Sequence, residues 1–166
     1  MIKISAVHLA PLKLGQKLGY AVGDFGLNLF FTFCTLFLLY YYTDVLGLSA
    51  TLAGLIIMVA LVWDGVSDPL MGVVANRTRS RFGRYRPYLL YGALPLCVSF
   101  VAMFVPTGLS GGALALYALA AHLVFRTMYT VVGIPYISLS AGMTRDSQER
   151  SHIAGARMLF AMACGL

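Results

Sequence analysis

The chain has 166 residues, 60% of them hydrophobic and 11% charged, with a mean hydropathy of +0.82. Soluble domains sit near about 45–50% apolar and about 25% charged. That contrast excludes a disordered chain, a nucleic-acid-binding tail and an ordinary cytosolic enzyme. In a bilayer the structural unit is a span of roughly 20 residues, so the composition predicts an all-α integral membrane protein with four spans and the start of a fifth.

The amino terminus, MIKISAVHLAPLKLGQKLGY, lacks a sustained apolar core and an A-x-A-type site, so no cleaved signal peptide is expected. Apolar runs follow at about 18–43, 50–75, 87–107 and 112–141, and a fifth at 152–166 is incomplete. They are continuous Leu/Ala/Val/Phe runs, which suit helices and not the alternating strands of a barrel. The three cysteines, Cys34, Cys97 and Cys164, each lie inside such a run with no metal-ligand spacing, and are read as small packing residues.

Loop charge gives an orientation. Lys3, Lys13 and Lys17 precede the first span, and loop 76–86 holds Arg77, Arg79, Arg81, Arg84 and Arg86. Loop 142–151 holds Arg145 and Arg150. The intervening loops TDVLGLS and PTGLSGG carry no Lys or Arg. The alternation predicts a cytoplasmic amino terminus, and a cell inner membrane is the expected location. It accounts for the positive charge without a nucleic-acid partner.

Inside the spans, polar groups are costly, about 2.5–3.5 kcal/mol for an Asp at a helix centre, and such groups face a bundle interior. In the first span Asp24 and Asn28 are spaced i, i+4, next to a stripe of Gly19, Gly23 and Gly26 read as helix packing. Asn28 is open between an interhelical hydrogen bond and a substrate contact. In the second span Asp64 and Asp68, also i, i+4, share one face. Two close carboxylates repel when both are ionised, so one holds its proton or a cation sits between them. Asp68, nearer the arginine loop, has the alternative of pairing with that loop.

In the fourth span Arg126, Tyr129, Thr130 and Gly133 fall on one face. Arg126 either pairs internally with Asp64 or attracts an acidic substrate. His122, one turn away, is read as a satisfied packing histidine. Trp63 is read as packing on a neighbouring helix, and Tyr40–Tyr42 as an interfacial aromatic belt. Pro135 can loosen the helix near the polar patch.

The string WDGVSDPLMGVVANRTRSRFGRYRPYLL, with KLGYAVGDFGLN, LYYYTDVLGLS and MYTVVGIPYISL in the same order and spacing, resembles the glycoside–pentoside–hexuronide:cation symporters. These form the group of the melibiose permease within the major facilitator superfamily. The resemblance covers about residues 14–166. It implies a twelve-span secondary transporter built from two six-helix bundles, with alternating access around a central cavity. The present chain then corresponds to a partial N-terminal bundle that lacks the C-terminal bundle, and this piece alone is not expected to transport.

By the same resemblance, Asp64, Ser67, Asp68 and Thr130 are cation-coupling positions. Asn28, Tyr129 and Arg157 are sugar-contact positions, joined by Arg126 from its place in the fourth span. The arginines of loop 76–86 match a gating motif to which Asp68 could contribute. The melibiose permease carries acids at the positions of Asn28 and Gly133. The missing acid at Gly133, together with Arg126 on the same face, favours H⁺ over Na⁺, with Asp64 and Asp68 the candidate Na⁺ ligands otherwise. No catalytic residue and no cofactor beyond the coupling ion is expected. Two rival readings remain: an intramembrane aspartyl protease using Asp24 and Asp64 at matched depth, and a carrier of lysolipids.

Overall fold

The computed structural model describes residues 14–81 and 83–143, together with Gly155. Helix α1 spans Leu14–Tyr40 and continues as one π-helical stretch, Tyr41–Val45. Helices α2, α3 and α4 span Ala50–Arg77, Arg86–Met103 and Gly111–Met143. All four helical segments are long and apolar enough to cross a membrane. The chain is therefore a multi-pass, all-helical membrane protein. The incomplete fifth run and most of loop 142–151 lie outside the described residues.

Local chemistry accounts for the helix ends. Ser49 caps α2, its hydroxyl accepting from the Leu52 amide at 3.3 Å. Gly47, at φ +68°, makes the turn before it in a conformation that side chains resist. Pro87 sits in the first turn of α3, where its missing N–H costs nothing. Pro69, Pro95 and Pro135 lie inside helices, as membrane helices tolerate. Helix α4 continues through the buried Pro135 to Met143.

Helix α4 is the central element, packing extensively on both α2 and α3. Helix α1 meets α3 and α4 through aromatic side chains. Phe30 meets Phe100 edge-to-face at 4.9 Å, and Phe33 meets Phe104 at 5.3 Å, with Phe125 of α4 completing the cluster. Such pairs contribute about 0.5–1.5 kcal/mol each beyond area burial. Tyrosine hydroxyls fasten the helices further. Tyr42 donates to the Ala118 carbonyl, Tyr117 to that of Ala102 at 2.7 Å, and Tyr136 to that of Tyr20. Outward faces are apolar as lipid requires: Leu94 is 72% exposed and Leu116 68%.

Three expectations change here. Tyr42 is fully buried in the core, so only Tyr40 of that aromatic run stands out as a belt residue. Of the glycine stripe, only Gly23 backs a close contact. A Cβ there would come within 3.0 Å of the Tyr136 ring, whereas Gly19 and Gly26 face open space. Cys34 is half-buried, but Cys97 is exposed on the outer face. Cys164 lies outside the described residues.

Candidate functional site

Helix α4 forms the floor of a groove between α1 and α2: α2 packs closely on α4, α1 reaches α4 through side chains such as the Tyr20–Tyr136 ring stack, and α1 and α2 touch little. Within the groove is a cavity of about 240 Å³ lined by Asp24 and Asn28 of α1, Asp64 and Asp68 of α2, and Arg126, Tyr129, Thr130 and Gly133 of α4. The polar positions singled out on three separate spans thus meet in one place.

The charges inside the cavity are paired in an orderly way. An Arg126 terminal guanidinium nitrogen lies 2.5 Å from Asp64 Oδ2, with the side chains only 12% and 22% exposed. One turn along, the Thr130 hydroxyl donates to Asp68 Oδ1 at 2.7 Å, and the Ser67 and Thr130 hydroxyls lie 3.4 Å apart. The i, i+4 acids of α2 therefore do not share a partner: Asp64 faces an arginine and Asp68 a threonine. Asp64 Oδ1 and Arg126 Nε are buried without a hydrogen-bond partner, so the ion pair leaves one atom on each side uncommitted.

Of the two alternatives for Arg126, the internal pair with Asp64 is the one present. The arginine-loop pairing of Asp68 is not: among the described residues its partner is Thr130. Asn28 makes no interhelical hydrogen bond among the described residues. Its amide donates within α1, to the Asp24 carbonyl oxygen at 2.9 Å and to Asp24 Oδ2 at 3.1 Å. This bond orients the Asn28 amide at the cavity wall and disposes the Asp24 carboxylate, which is itself buried. The Tyr129 hydroxyl reaches the Leu27 carbonyl at 3.4 Å, tying floor to wall. Trp63 packs on the neighbouring helix as expected and donates to Thr127 Oγ1 at 2.9 Å.

The five arginines of the loop after α2 are all exposed. The loop is shaped by tyrosines: Tyr85 donates to Asn76 Oδ1 at 2.8 Å and Tyr88 shares a 2.6 Å bond with Thr78. Gly83, at φ +96°, makes the turn. Arg157 lies outside the described residues.

One residue departs from its reading. His122 is buried, 3% exposed, with its ring edge-on to Tyr42, but its Nδ1 has no partner. It is not a satisfied packing histidine. It lines a second cavity, of about 310 Å³, farther along the groove with Cys34, Thr35 and Arg126. Spacing alone placed His122 beside Arg126; it carried no sign of a second cavity.

Thr130→Val tests the local geometry, since it keeps the shape and removes the hydroxyl. Loss of a hydrogen bond to a charged group is expected to cost about 1.5–3 kcal/mol, read as a lower thermal midpoint of the purified protein. An unchanged midpoint would mean that the Asp68–Thr130 bond is not formed.

Charged side chains that face a cavity within membrane-crossing helices mark a functional site. The chain belongs to the MFS/sugar transport protein family, whose model matches residues 19–166. It is 41% identical over 159 residues to the uncharacterized symporter YnaJ of Bacillus subtilis, covering 96% of this chain and 34% of the relative. It is 39% identical over 140 residues to the glucuronide carrier protein homolog of Escherichia coli, covering 84% and 31%. It is 31% identical over 153 residues to the isoprimeverose transporter of Lactiplantibacillus pentosus, covering 92% and 32%. The chain thus spans about a third of the length of these relatives. The protease reading fails on the family and on the site, where Asp64 is held by Arg126 and Asp24 accepts from Asn28.

Proposed function

We propose that this chain is the first part of a cation-coupled sugar symporter of a cell inner membrane, working by alternating access with its amino terminus in the cytoplasm. The observation that carries the reading is the cavity in which Asp64–Arg126 and Asp68–Thr130 meet Asn28 and Tyr129. Names borne by relatives, a symporter and an isoprimeverose transporter among them, support it. The basic loops alternating with uncharged ones support the orientation. A cavity of about 240 Å³ is smaller than the roughly 300–1,000 Å³ of small-molecule sites. That size suits one wall of a site completed by a second bundle.

Each residue then has a task. Asn28 and Tyr129 offer amide and hydroxyl groups to sugar hydroxyls, with Arg126 beside them and Arg157 as a further contact. Asp64, Ser67, Asp68 and Thr130 form the coupling region. The coupling ion is H⁺. Arg126 already places a positive charge against Asp64, Thr130 engages Asp68, and Gly133 supplies no carboxylate, which leaves a metal cation few uncommitted oxygens. Arg77, Arg79, Arg81, Arg84 and Arg86 form a cytoplasmic gating loop. A lysolipid cargo has no observation in its favour at this polar cavity.

Uptake into vesicles carrying the full-length protein, with pH and Na⁺ gradients imposed separately, tests the reading. Accumulation is expected when the side from which sugar enters is acid, without a Na⁺ requirement. Stimulation by Na⁺ alone overturns the proton assignment, and no gradient-driven sugar uptake overturns symport itself. Gly133→Asp adds a carboxylate to the cavity at a position with room for it, since a Cβ there meets only Tyr129 at 3.9 Å. This variant is expected to acquire Na⁺-stimulated uptake; indifference to Na⁺ would show that the coupling ion is not chosen at this position.

A further inference from the structure

Four neutral polar side chains line the cavity of about 240 Å³: Asn28 of α1, and Tyr129, Thr130 and Tyr136 of α4. Each directs its hydrogen to an oxygen of the protein. Asn28 donates to Asp24, Tyr129 to the Leu27 carbonyl at 3.4 Å, Thr130 to Asp68 at 2.7 Å and Tyr136 to the Tyr20 carbonyl. Hydroxyl and amide oxygens keep lone pairs after their hydrogens are engaged. What these groups hold out to a ligand is therefore acceptance.

The sense is set most firmly at Asn28. Its amide has an NH2 with two hydrogens and an oxygen that only accepts, and turning the group over exchanges the two. Nδ2 reaches two acceptors, the Asp24 backbone carbonyl at 2.9 Å and Asp24 Oδ2 at 3.1 Å. A backbone carbonyl never donates, so the reversed amide would set oxygen against oxygen there. With Nδ2 turned to Asp24, both of its hydrogens are engaged. Oδ1 accepts from no described residue and is the edge left for the cavity that Asn28 lines. Asp24 itself is 3% exposed, and an acid so placed in an apolar span calls for a reason. Neither the Asp64–Arg126 pair nor the Asp68–Thr130 bond involves it.

We propose that Asp24 is a positioning residue: it holds Asn28 with its oxygen toward the ligand, so that position 28 recognises a sugar hydroxyl by its hydrogen and rejects a group that can only accept. The inference rests on the sugar-transport reading and deepens it, naming the residue behind Asn28 and the sense of the bond. Without the Asp24 carboxylate one N–H is released, and the amide then donates as readily as it accepts. Binding survives that change better than selectivity does.

Fluorine in place of a hydroxyl is similar in size but cannot donate, which makes the sense of the bond measurable. Equilibrium binding to the purified full-length protein is measured for methyl glucoside, methyl galactoside and methyl xyloside, and for the 2-, 3- and 4-deoxyfluoro forms of those that bind. At one ring position or more, fluorine is expected to weaken binding about tenfold or more, because the oxygen facing it is left unpaired. Asp24→Leu is expected to bring that ratio toward one at one of these positions. Asp24→Asn, whose amide oxygen still accepts from Nδ2, is expected to preserve most of it. An ionised acid at position 28 presents only oxygens whatever stands at position 24, so the double variant Asp24→Leu with Asn28→Asp should keep the ratio.

An Asp24→Leu variant that weakens every ligand by the same factor marks Asp24 as merely structural and overturns the assignment. So does a double variant that loses the ratio as Asp24→Leu does. Fluorine tolerated at every position overturns it too, and that result is read on the unaltered protein, whether or not Asp24→Leu folds. In these three cases the sugar reading stands. Binding of none of the three parent glycosides overturns both.

Discussion

Asp64→Asn is expected to abolish gradient-driven accumulation and, separately, to lower the yield and thermal midpoint of folded protein. The second effect follows from geometry. Asp64 and Arg126 are 2.5 Å apart and mostly withdrawn from solvent. Removing the acid strands a guanidinium inside the membrane bundle. Breaking such a buried pair costs about 3–5 kcal/mol, chiefly through the charge left behind. Partial exposure of both side chains places the cost near the lower end. Arg126→Gln strands a carboxylate instead and is expected to destabilise by a similar amount.

The double variant Asp64→Asn with Arg126→Gln separates stability from coupling. With both charges gone, no uncompensated charge remains, and the folded yield should recover most of what either single change removes. Coupled uptake should not recover, because no ionisable group is left at that point of α2. The thermal midpoints of the four proteins close a double-mutant cycle. Additive effects would mean that the two side chains do not interact. Gradient-driven uptake by the double variant would remove Asp64 from the coupling machinery.

How far the sequence carries is clearest for these two residues. Each is a charge in the middle of an apolar run, and a charge there must face the interior and find a partner. The pairing of Asp64 with Arg126 was therefore one of only two alternatives, and the polar face of each span was legible from i, i+4 spacings, whereas a cavity joining them was implied only by the family resemblance. The four helical segments were legible for the same reason, since span length and loop charge are properties of single segments. What escaped depends on how one helix is rotated and shifted against another. Tyr42 looks like an interfacial tyrosine, but it turns inward so that its hydroxyl reaches the Ala118 carbonyl on α4. His122 looks like a packing residue, but no donor or acceptor on α1 or α2 reaches its Nδ1. Gly19, Gly23 and Gly26 look equivalent, and only the rotation of α1 brings Gly23 under the Tyr136 ring. Asp68 sits near an arginine-rich loop, but the direction of its side chain sends it to Thr130 instead.

The same dependence of the site on helix packing makes Gly92 a sensitive position. Gly92 of α3 is buried against α4, and a Cβ built there would lie 2.7 Å from Val132 Cγ2, closer than such atoms approach. Val132 cannot swing aside: it is branched at Cβ and held to few rotamers, and it is 5% exposed within the core. Any side chain at position 92 therefore pushes α4. Overpacking a core costs about 1–3 kcal/mol, occasionally more. Gly92→Leu, which adds four carbons where one does not fit, is expected to exceed that range and to yield little folded protein. Gly92→Ala should fold with a lowered midpoint. Val132 is followed by Gly133 and preceded, two residues earlier, by Thr130, so a shift of α4 at this level reaches the cavity floor directly. Uptake by Gly92→Ala should accordingly fall more than its residual stability explains. Combining Gly92→Ala with Val132→Ala removes the methyl group that collides, and the pair should recover both the midpoint and the uptake that Gly92→Ala alone loses. A double variant less stable than Gly92→Ala by the full cost of truncating Val132 would show that α3 and α4 do not meet at this contact.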